Sequence, residues 1–140
     1  MKVLVDSNVI LNKLLEQSGF FESSNTIFIL AEIGKISGFV SASAITDIYY
    51  ITRKGLGKES AHKAIRKMLS VFQPATVTGD DIFRVLDLEW GDFEDSVQFV
   101  VGEGLTVDYI ITRDTQGFSS SPIPALTPEQ FIQIISNLEK

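Results

Sequence analysis

The sequence predicts an α/β fold, a Rossmann-like three-layer α/β/α sandwich around a central, mostly parallel sheet. Three observations carry that expectation. Short apolar strand signals alternate along the chain with longer segments of helical periodicity, which implies crossovers and parallel pairing. The 140 residues are 44% apolar, enough for a sizeable core, and mean hydropathy is +0.18. No internal repeat, low-complexity tract or linker interrupts the pattern, so one domain is expected over 1–140.

The elements follow from local signals. Residues 2–5 are an apolar run ending at Asp6-Ser7-Asn8, a buried strand meeting a helix start. Apolar residues at 9, 10, 11, 14 and 15 predict a helix over 8–17. A second is predicted over 20–36, with Phe21, Ile27, Phe28, Leu30, Ala31 and Ile33 inward; Phe20, Phe21, Ile27, Phe28 and Leu30 suit a core better than a partner groove. A brief strand at 38–41 precedes a helix capped by Ser43 that runs through Lys54 to the stop at Gly55 and Gly57. Residues 58–72 form an amphipathic basic helix, and Pro74 precedes a strand at 75–77. Thr78 caps a helix over 80–88, Gly91 breaks it, and 93–103 is the next. Val107-Asp108-Tyr109-Ile110-Ile111 is the strongest strand signal. Gly117, Pro122 and Pro124 surround a short edge strand near 123–126, and Thr127-Pro128-Glu129 starts the last helix.

Composition excludes several functions. With no cysteine, disulfides, thiolate zinc sites and thiol catalysis are impossible. The apolar start is too short for a secretory signal and no stretch approaches a membrane span, so a cytoplasmic protein is expected. No glycine-rich phosphate loop, dinucleotide fingerprint or nucleophile elbow occurs. The single His62 lies among lysines and arginines, away from the acids in sequence. The net charge of −6 argues against generic nucleic-acid binding. Its distribution is uneven, however. Arg53, Lys54, Lys58, Lys63, Arg66 and Lys67 cluster, as do the acids from Asp80 to Asp95. Such runs read either as solvated helix faces or as a polyanion-binding strip beside a cation site.

The acids carry the candidate chemistry. Asp6 and Asp114 each follow a strand, at the edge where open parallel sheets bind ligands. As isolated residues they read as a helix cap and a turn former. As a pair at the ends of core strands they suggest a metal site. Asp92-Phe93-Glu94-Asp95 opens an otherwise apolar helix with more acid than the helix dipole needs. Asp47 sits mid-helix among apolar residues, facing either solvent or the site. Such carboxylates suit hard cations, Mg²⁺ or Mn²⁺. Metal ions would offset the repulsion between these acids and a phosphate and activate water, with no protein nucleophile needed.

These residues resemble the PIN-domain family, of the compact VapC-like ribonuclease type. The resemblance rests on Val3-Leu4-Val5-Asp6-Ser7-Asn8, on Asp92-x-x-Asp95 heading an apolar helix, and on Asp108 to Asp114 with Phe118 following. The Thr127-Pro128-Glu129-Gln130-Phe131 close is similar too. It implies a PIN-like sandwich and a Mg²⁺- or Mn²⁺-dependent endoribonuclease. Its catalytic residues would be Asp6, Asp47, Asp95 and Asp114, with Thr112 as a hydroxyl neighbour. Asp6, Asp95 and Asp114 would ligate metal, Asp92 would assist, and Asn8 matches the family's small polar residue beside the first acid. Position 47 is usually Glu in the family, so the shorter Asp47 suits a water-bridged contact. Gln116-Gly117 before Phe118 is less acidic than is common. Arg53, Lys54, Lys58, Lys63, Arg66 and Lys67 would contact the RNA backbone. The family also implies a toxin role, a small antitoxin protein docking over the acids, and a homodimer. The competing reading is a catalytically impaired PIN-fold module that binds RNA or protein, supported by the change at position 47. Phosphatase and receiver readings lack their Asp-x-Asp and late lysine.

Overall fold

Every residue from 1 to 140 is described by the computed structural model. Five short strands and seven helices alternate as expected: β1 (Lys2–Val5), α1 (Ser7–Leu14), α2 (Phe21–Glu32), β2 (Ser37–Ser41), α3 (Ala42–Leu56), α4 (Lys58–Leu69), β3 (Gln73–Ala75), α5 (Gly79–Leu88), α6 (Phe93–Leu105), β4 (Tyr109–Ile111), a 3₁₀ turn (Thr115–Phe118), β5 (Ala125–Leu126) and α7 (Pro128–Leu138). The strands form one sheet in the order β3-β2-β1-β4-β5, and every adjacent pair is parallel. β1 is central, with Leu4 opposite Phe39 on one side and Ile110 on the other.

Side chains alternate across β1, and the two faces recruit different helices. Val3 and Val5 join Val9 and Ile10 of α1, Ile27 and Phe28 of α2, and Phe131 of α7. Leu4 faces the other way, onto Val85 of α5 and Val97, Val100 and Val101 of α6. These two apolar clusters fill both interlayer spaces of the sandwich. No helix is long and apolar enough to cross a membrane.

Element boundaries depart from expectation where tertiary pairing overrides local signal. β3 spans Gln73–Ala75, not 75–77, with Pro74 inside it opposite Val40. An edge strand tolerates proline because one side of its backbone needs no ladder partner. α2 ends at Glu32, before Gly34 at φ +78°, and Ile33 is 61% exposed instead of inward. α3 starts two residues early, because Ser41 rather than Ser43 accepts from the Ala44 N–H at 3.2 Å. Gly57, at φ +89°, ends α3 as expected. α1 and α4 stop at Leu14 and Leu69, short of the predicted ends.

Gly38 of β2 is a close-approach position. A Cβ there would sit 2.4 Å from Cδ1 and 2.6 Å from Cε1 of Phe72, a fully buried ring that meets Phe28 edge-on at 4.8 Å. Gly38→Ala should therefore overpack this layer and lower stability by about 1–3 kcal/mol. The check is urea unfolding, where the midpoint should fall at constant slope; an unchanged midpoint would show that the Phe72 ring yields freely.

Candidate active site

The topology brings the acids together. β1 and β4 are neighbours in parallel register, so the residues leaving their carboxyl ends, Asp6 and Thr112-Arg113-Asp114, share one edge. Asp6 is buried at 5% exposure and caps α1, its Oδ1 accepting from the Ser7 N–H at 2.9 Å. Its Oδ2 accepts from the Thr112 hydroxyl at 2.8 Å and from the Asn8 amide at 3.4 Å. Thr112 Oγ1 in turn accepts from the Asp114 N–H at 3.0 Å. One fully buried hydroxyl thus links the first and last acids.

α6 delivers the second pair. Asp92 caps the helix, its Oδ1 accepting from the Asp95 N–H at 2.9 Å. Asp95 is buried at 9% exposure, and no protein donor reaches its carboxylate. Asp114 Oδ1 accepts from the Gly117 N–H at 3.2 Å. A Cβ on Gly117 would lie 2.0 Å from Asp95 Oδ2 and 3.1 Å from Asp114 Oδ2, so both oxygens border the space of a single methyl. Glycine at 117 keeps that space open between them.

The electrostatics follow from this crowding. Burial pushes the Asp95 carboxyl up first, and the charges of Asp92, Asp6, Asp114 and Glu94 push it further, from 3.8 to about 7. Burial also raises Asp6 above its ordinary value; the Thr112 and Ser7 hydrogen bonds oppose the rise, while Asp114 and Asp92 add to it. Glu94 is raised by burial, then by Asp6, Asp47 and Asp92. Glu94 is a member of the cluster that the expected residue set lacks. Its signal was present in the three acids of 92–95. Asp47 stands at the margin, exposed on α3 and acting on Glu94 alone among these raised groups.

All these donors are hard carboxylate oxygens, which fits Mg²⁺ or Mn²⁺ and not a soft metal. No three of the acids converge on one point as a preformed cage requires. The arrangement fits an ion bound through one or two carboxylates that keeps several waters, the usual habit of Mg²⁺. A buried carboxylate with four acidic neighbours and no donor is the feature such a cation would satisfy.

A second residue outside the expected set is Arg113. Its side chain is 15% exposed, and its guanidinium reaches four residues on three helices. Nε donates to Asn12 Oδ1 at 3.1 Å, Nη2 to Ser23 Oγ at 2.7 Å and to the Phe20 carbonyl at 3.2 Å, and Nη1 to both carboxylate oxygens of Glu129. It also lies 4.8 Å over the Phe20 ring. Its own N–H donates to Asn8 Oδ1 at 3.1 Å. Arg113 thereby ties the loop that carries Thr112 and Asp114 to α1, α2 and α7. Local sequence could not reveal partners drawn from 12, 20, 23 and 129.

The six candidate RNA-contacting cations do not join the acids. Arg53 and Lys54 lie in the last turn of α3, and the other four on α4, which packs chiefly on α3. Arg53 is about 9 Å along the α3 axis from Asp47. Arg66 opens onto a groove with Tyr49 and His62, while Lys67 opens onto another beside Phe28 and Met68. Of the six, Lys63 alone forms an ion pair, with Glu59 at 3.7 Å.

A family model described as PIN domain matches residues 2–116. No curated protein matches the chain in sequence. Among solved structures, the chain is similar to VapBC2 of Rickettsia felis, solved bound to a DNA fragment from its promoter. That likeness has a TM-score of 0.68 at 15% identity, covering 90% of this chain and 97% of that one. A toxin–antitoxin complex from Klebsiella pneumoniae matches with TM-score 0.66 at 20% identity, over the same 90% and 97%. VapC20 of Mycobacterium tuberculosis, a toxin that cleaves the sarcin–ricin loop, matches with TM-score 0.63 at 13% identity, over 77% and 86%.

Two outcomes are expected from this geometry. Between pH 4 and 7 the folded chain holds a proton on Asp95 that the unfolded chain has lost, so metal-free stability falls as pH rises through that window and levels above it. Melting in chelator should thus be lower at pH 8 than at pH 5.5, and Asp95→Asn should raise the pH 8 value and flatten the profile. An Asp95→Asn protein that melts like wild type at pH 8 would disprove the repulsion. Arg113→Ala should cost about 1–3 kcal/mol by leaving the buried Asn12 and the half-buried Ser23 without their donor, and Arg113→Lys should recover less than half of it in urea titrations.

Proposed function

The chain belongs to the PIN-domain family, and we propose that it is a divalent-metal-dependent endoribonuclease that hydrolyses RNA phosphodiester bonds, acting as the toxin of a toxin–antitoxin pair. The observation that carries this reading is Asp95: buried, without a hydrogen-bond donor, and pushed up to about 7 by burial and four surrounding carboxyls. Asp6, Asp95 and Asp114 would hold Mg²⁺ or Mn²⁺, one or two of them directly and the rest through its waters, with Asp92 assisting through the oxygen its cap leaves free. When bound, the metal polarises the phosphoryl group and lowers the pKa of the attacking water. The rest is supplied by the chain. Thr112 and Asn8 hold the Asp6 carboxylate in one orientation from the side opposite its helix cap. Arg113 fixes the loop that presents Asp114. Asp47, exposed and near Glu94, acts on the site through water and not by direct ligation.

The six cations of α3 and α4 contact the RNA backbone at a distance from the acids, so a bound strand runs along α3. Ile29 and Ile33, exposed on α2, offer apolar surface to a small antitoxin, and homodimerisation is expected as in the family. The solved relatives that contain toxin–antitoxin pairs support this role without extending to residue contacts.

The test is cleavage of a labelled single-stranded RNA by purified protein. Activity should require Mg²⁺ or Mn²⁺ and vanish in chelator. Asp6→Asn should reduce kcat by at least about a hundredfold, since metal polarisation is worth several kcal/mol. Thr112→Val should cost about 10–100-fold, as the loss of a group orienting a ligand does. If the wild type cleaves no RNA with Mn²⁺, and calorimetry finds Mn²⁺ binding that ignores Asp6 and Asp95, the chain is a silent binding module.

A further inference from the structure

A cleft of about 280 Å³ opens beside the acids, between α3, α5 and α6. Val97 forms its buried base, with Val77 and Ile82 half-buried beside it; Phe93, Asp47 and Glu94 stand exposed at its mouth. Phe93 is 53% exposed, although the next turn of its helix is wholly buried. Glu94 belongs both to this cleft and to the carboxylate cluster. The cleft is thus continuous with the site that takes the phosphate.

Its chemistry selects an occupant. The acidic mouth repels phosphate and acidic peptides, and the valine and isoleucine floor offers nothing to a bare ion. What suits both is a flat, uncharged ring that stacks on an aromatic and donates hydrogen bonds at its edge. The volume accommodates one such ring. Carboxylates only accept, so they recognise exocyclic amino groups and not carbonyls, as when Asp or Glu accepts from the cytosine amine. We propose that this cleft is a nucleobase subsite: Phe93 stacks the base next to the scissile phosphate, and Asp47 and Glu94 favour an amino-bearing base over uracil. This rests on the ribonuclease reading and names what that site would recognise.

The experiment pairs binding with cleavage. Fluorescently labelled pentacytidylate, pentauridylate and a pentacytidylate with one abasic position are titrated in Mn²⁺, with anisotropy read before turnover and cleavage followed separately. The pyrimidine pair holds ring size constant, so the comparison reads the hydrogen-bonding edge: the two-donor N4 amine of cytosine against the O4 carbonyl and single N3–H of uracil. Wild type should bind the cytidine strand about tenfold more tightly than the abasic one, the usual scale of one base stacked on an aromatic. It should also bind cytidine severalfold more tightly than uridine. Phe93→Ala should lose the abasic penalty and raise KM about tenfold with kcat nearly unchanged, and Phe93→Trp should restore both. Glu94→Gln should erase the cytidine preference while leaving stacking intact. Thermal melting confirms that each variant is folded. If Phe93→Ala binds and cleaves like wild type, the subsite is wrong and a protein partner is the better occupant. Binding that depends on Phe93 without any cleavage sinks the nuclease reading alone. Absence of RNA binding in Mn²⁺ overturns both.

Discussion

Asp6, Asp92, Glu94, Asp95 and Asp114 crowd one sheet edge, and the charges of their neighbours add to burial in raising the proton affinity of Asp6, Glu94 and Asp95. That mutual repulsion is the constraint the rest of the structure must withstand. Left alone it would drive α6 away from the β4 loop, because α6 brings three of the acids and the loop another. The fold resists through contacts made elsewhere. Val97 to Val101 bury the far side of α6 against Leu4 and Ile110, and Gly102 leaves room for the turn that follows the helix, where a Cβ would meet Val107 at 3.1 Å and Leu4 of β1 at 3.7 Å. Hydrogen bonds reach Asp6, Asp92 and Asp114, while Glu94, which is exposed, and Asp95, which is buried, have none.

Arg113 performs the complementary task on the opposite side of the loop. It lies between Thr112 and Asp114 in sequence, yet its guanidinium points away from the acids, to Glu129 of α7. Burial alone would raise the Glu129 carboxyl, but the hydrogen bond and charge of Arg113 hold it below its ordinary value. A cation placed among the site acids would neutralise them internally and leave nothing for a metal to do. Arg113 therefore stiffens the loop while leaving the acids unneutralised.

Much of this was legible in the sequence, for identifiable reasons. Parallel alternation, the strands at 2–5 and 107–111, and the acids that follow them are encoded locally, because strand ends and helix caps have short-range signals. Ser41 outcompeted Ser43 as a cap because β2 runs on directly into α3. Pro74 misled because proline disfavours strands in general, whereas an edge strand leaves one backbone side free. The side of α2 that faces solvent was not readable at Ile33, since the turn at Gly34 decides it. At the site, the acids could be read singly, but Gly117 as a spacer between two carboxylates and Arg113 as a clamp required tertiary partners. The cations of α4 form a tidy run in sequence and a divided surface in space, because helical rotation sends Arg66 and Lys67 to different grooves.

The net charge takes on a different meaning once the ion pairs are placed. Lys35 pairs with Glu139, Lys63 with Glu59, Arg84 with Glu103 and Arg113 with Glu129. Each of these acids lies outside the cluster, so no side-chain cation of the chain pairs with a site carboxylate. The excess negative charge is therefore concentrated where a phosphodiester would have to approach. A surface of that kind would reject nucleic acid until small cations from solution settled among the carboxylates, and on the ribonuclease reading would then attract it at that same point. With its lysines and arginines held away from its acids, such a protein would, on the proposed reading, make RNA affinity conditional on metal. Net charge, which argued against nucleic-acid binding when spread over the whole chain, becomes the source of that condition when it is located.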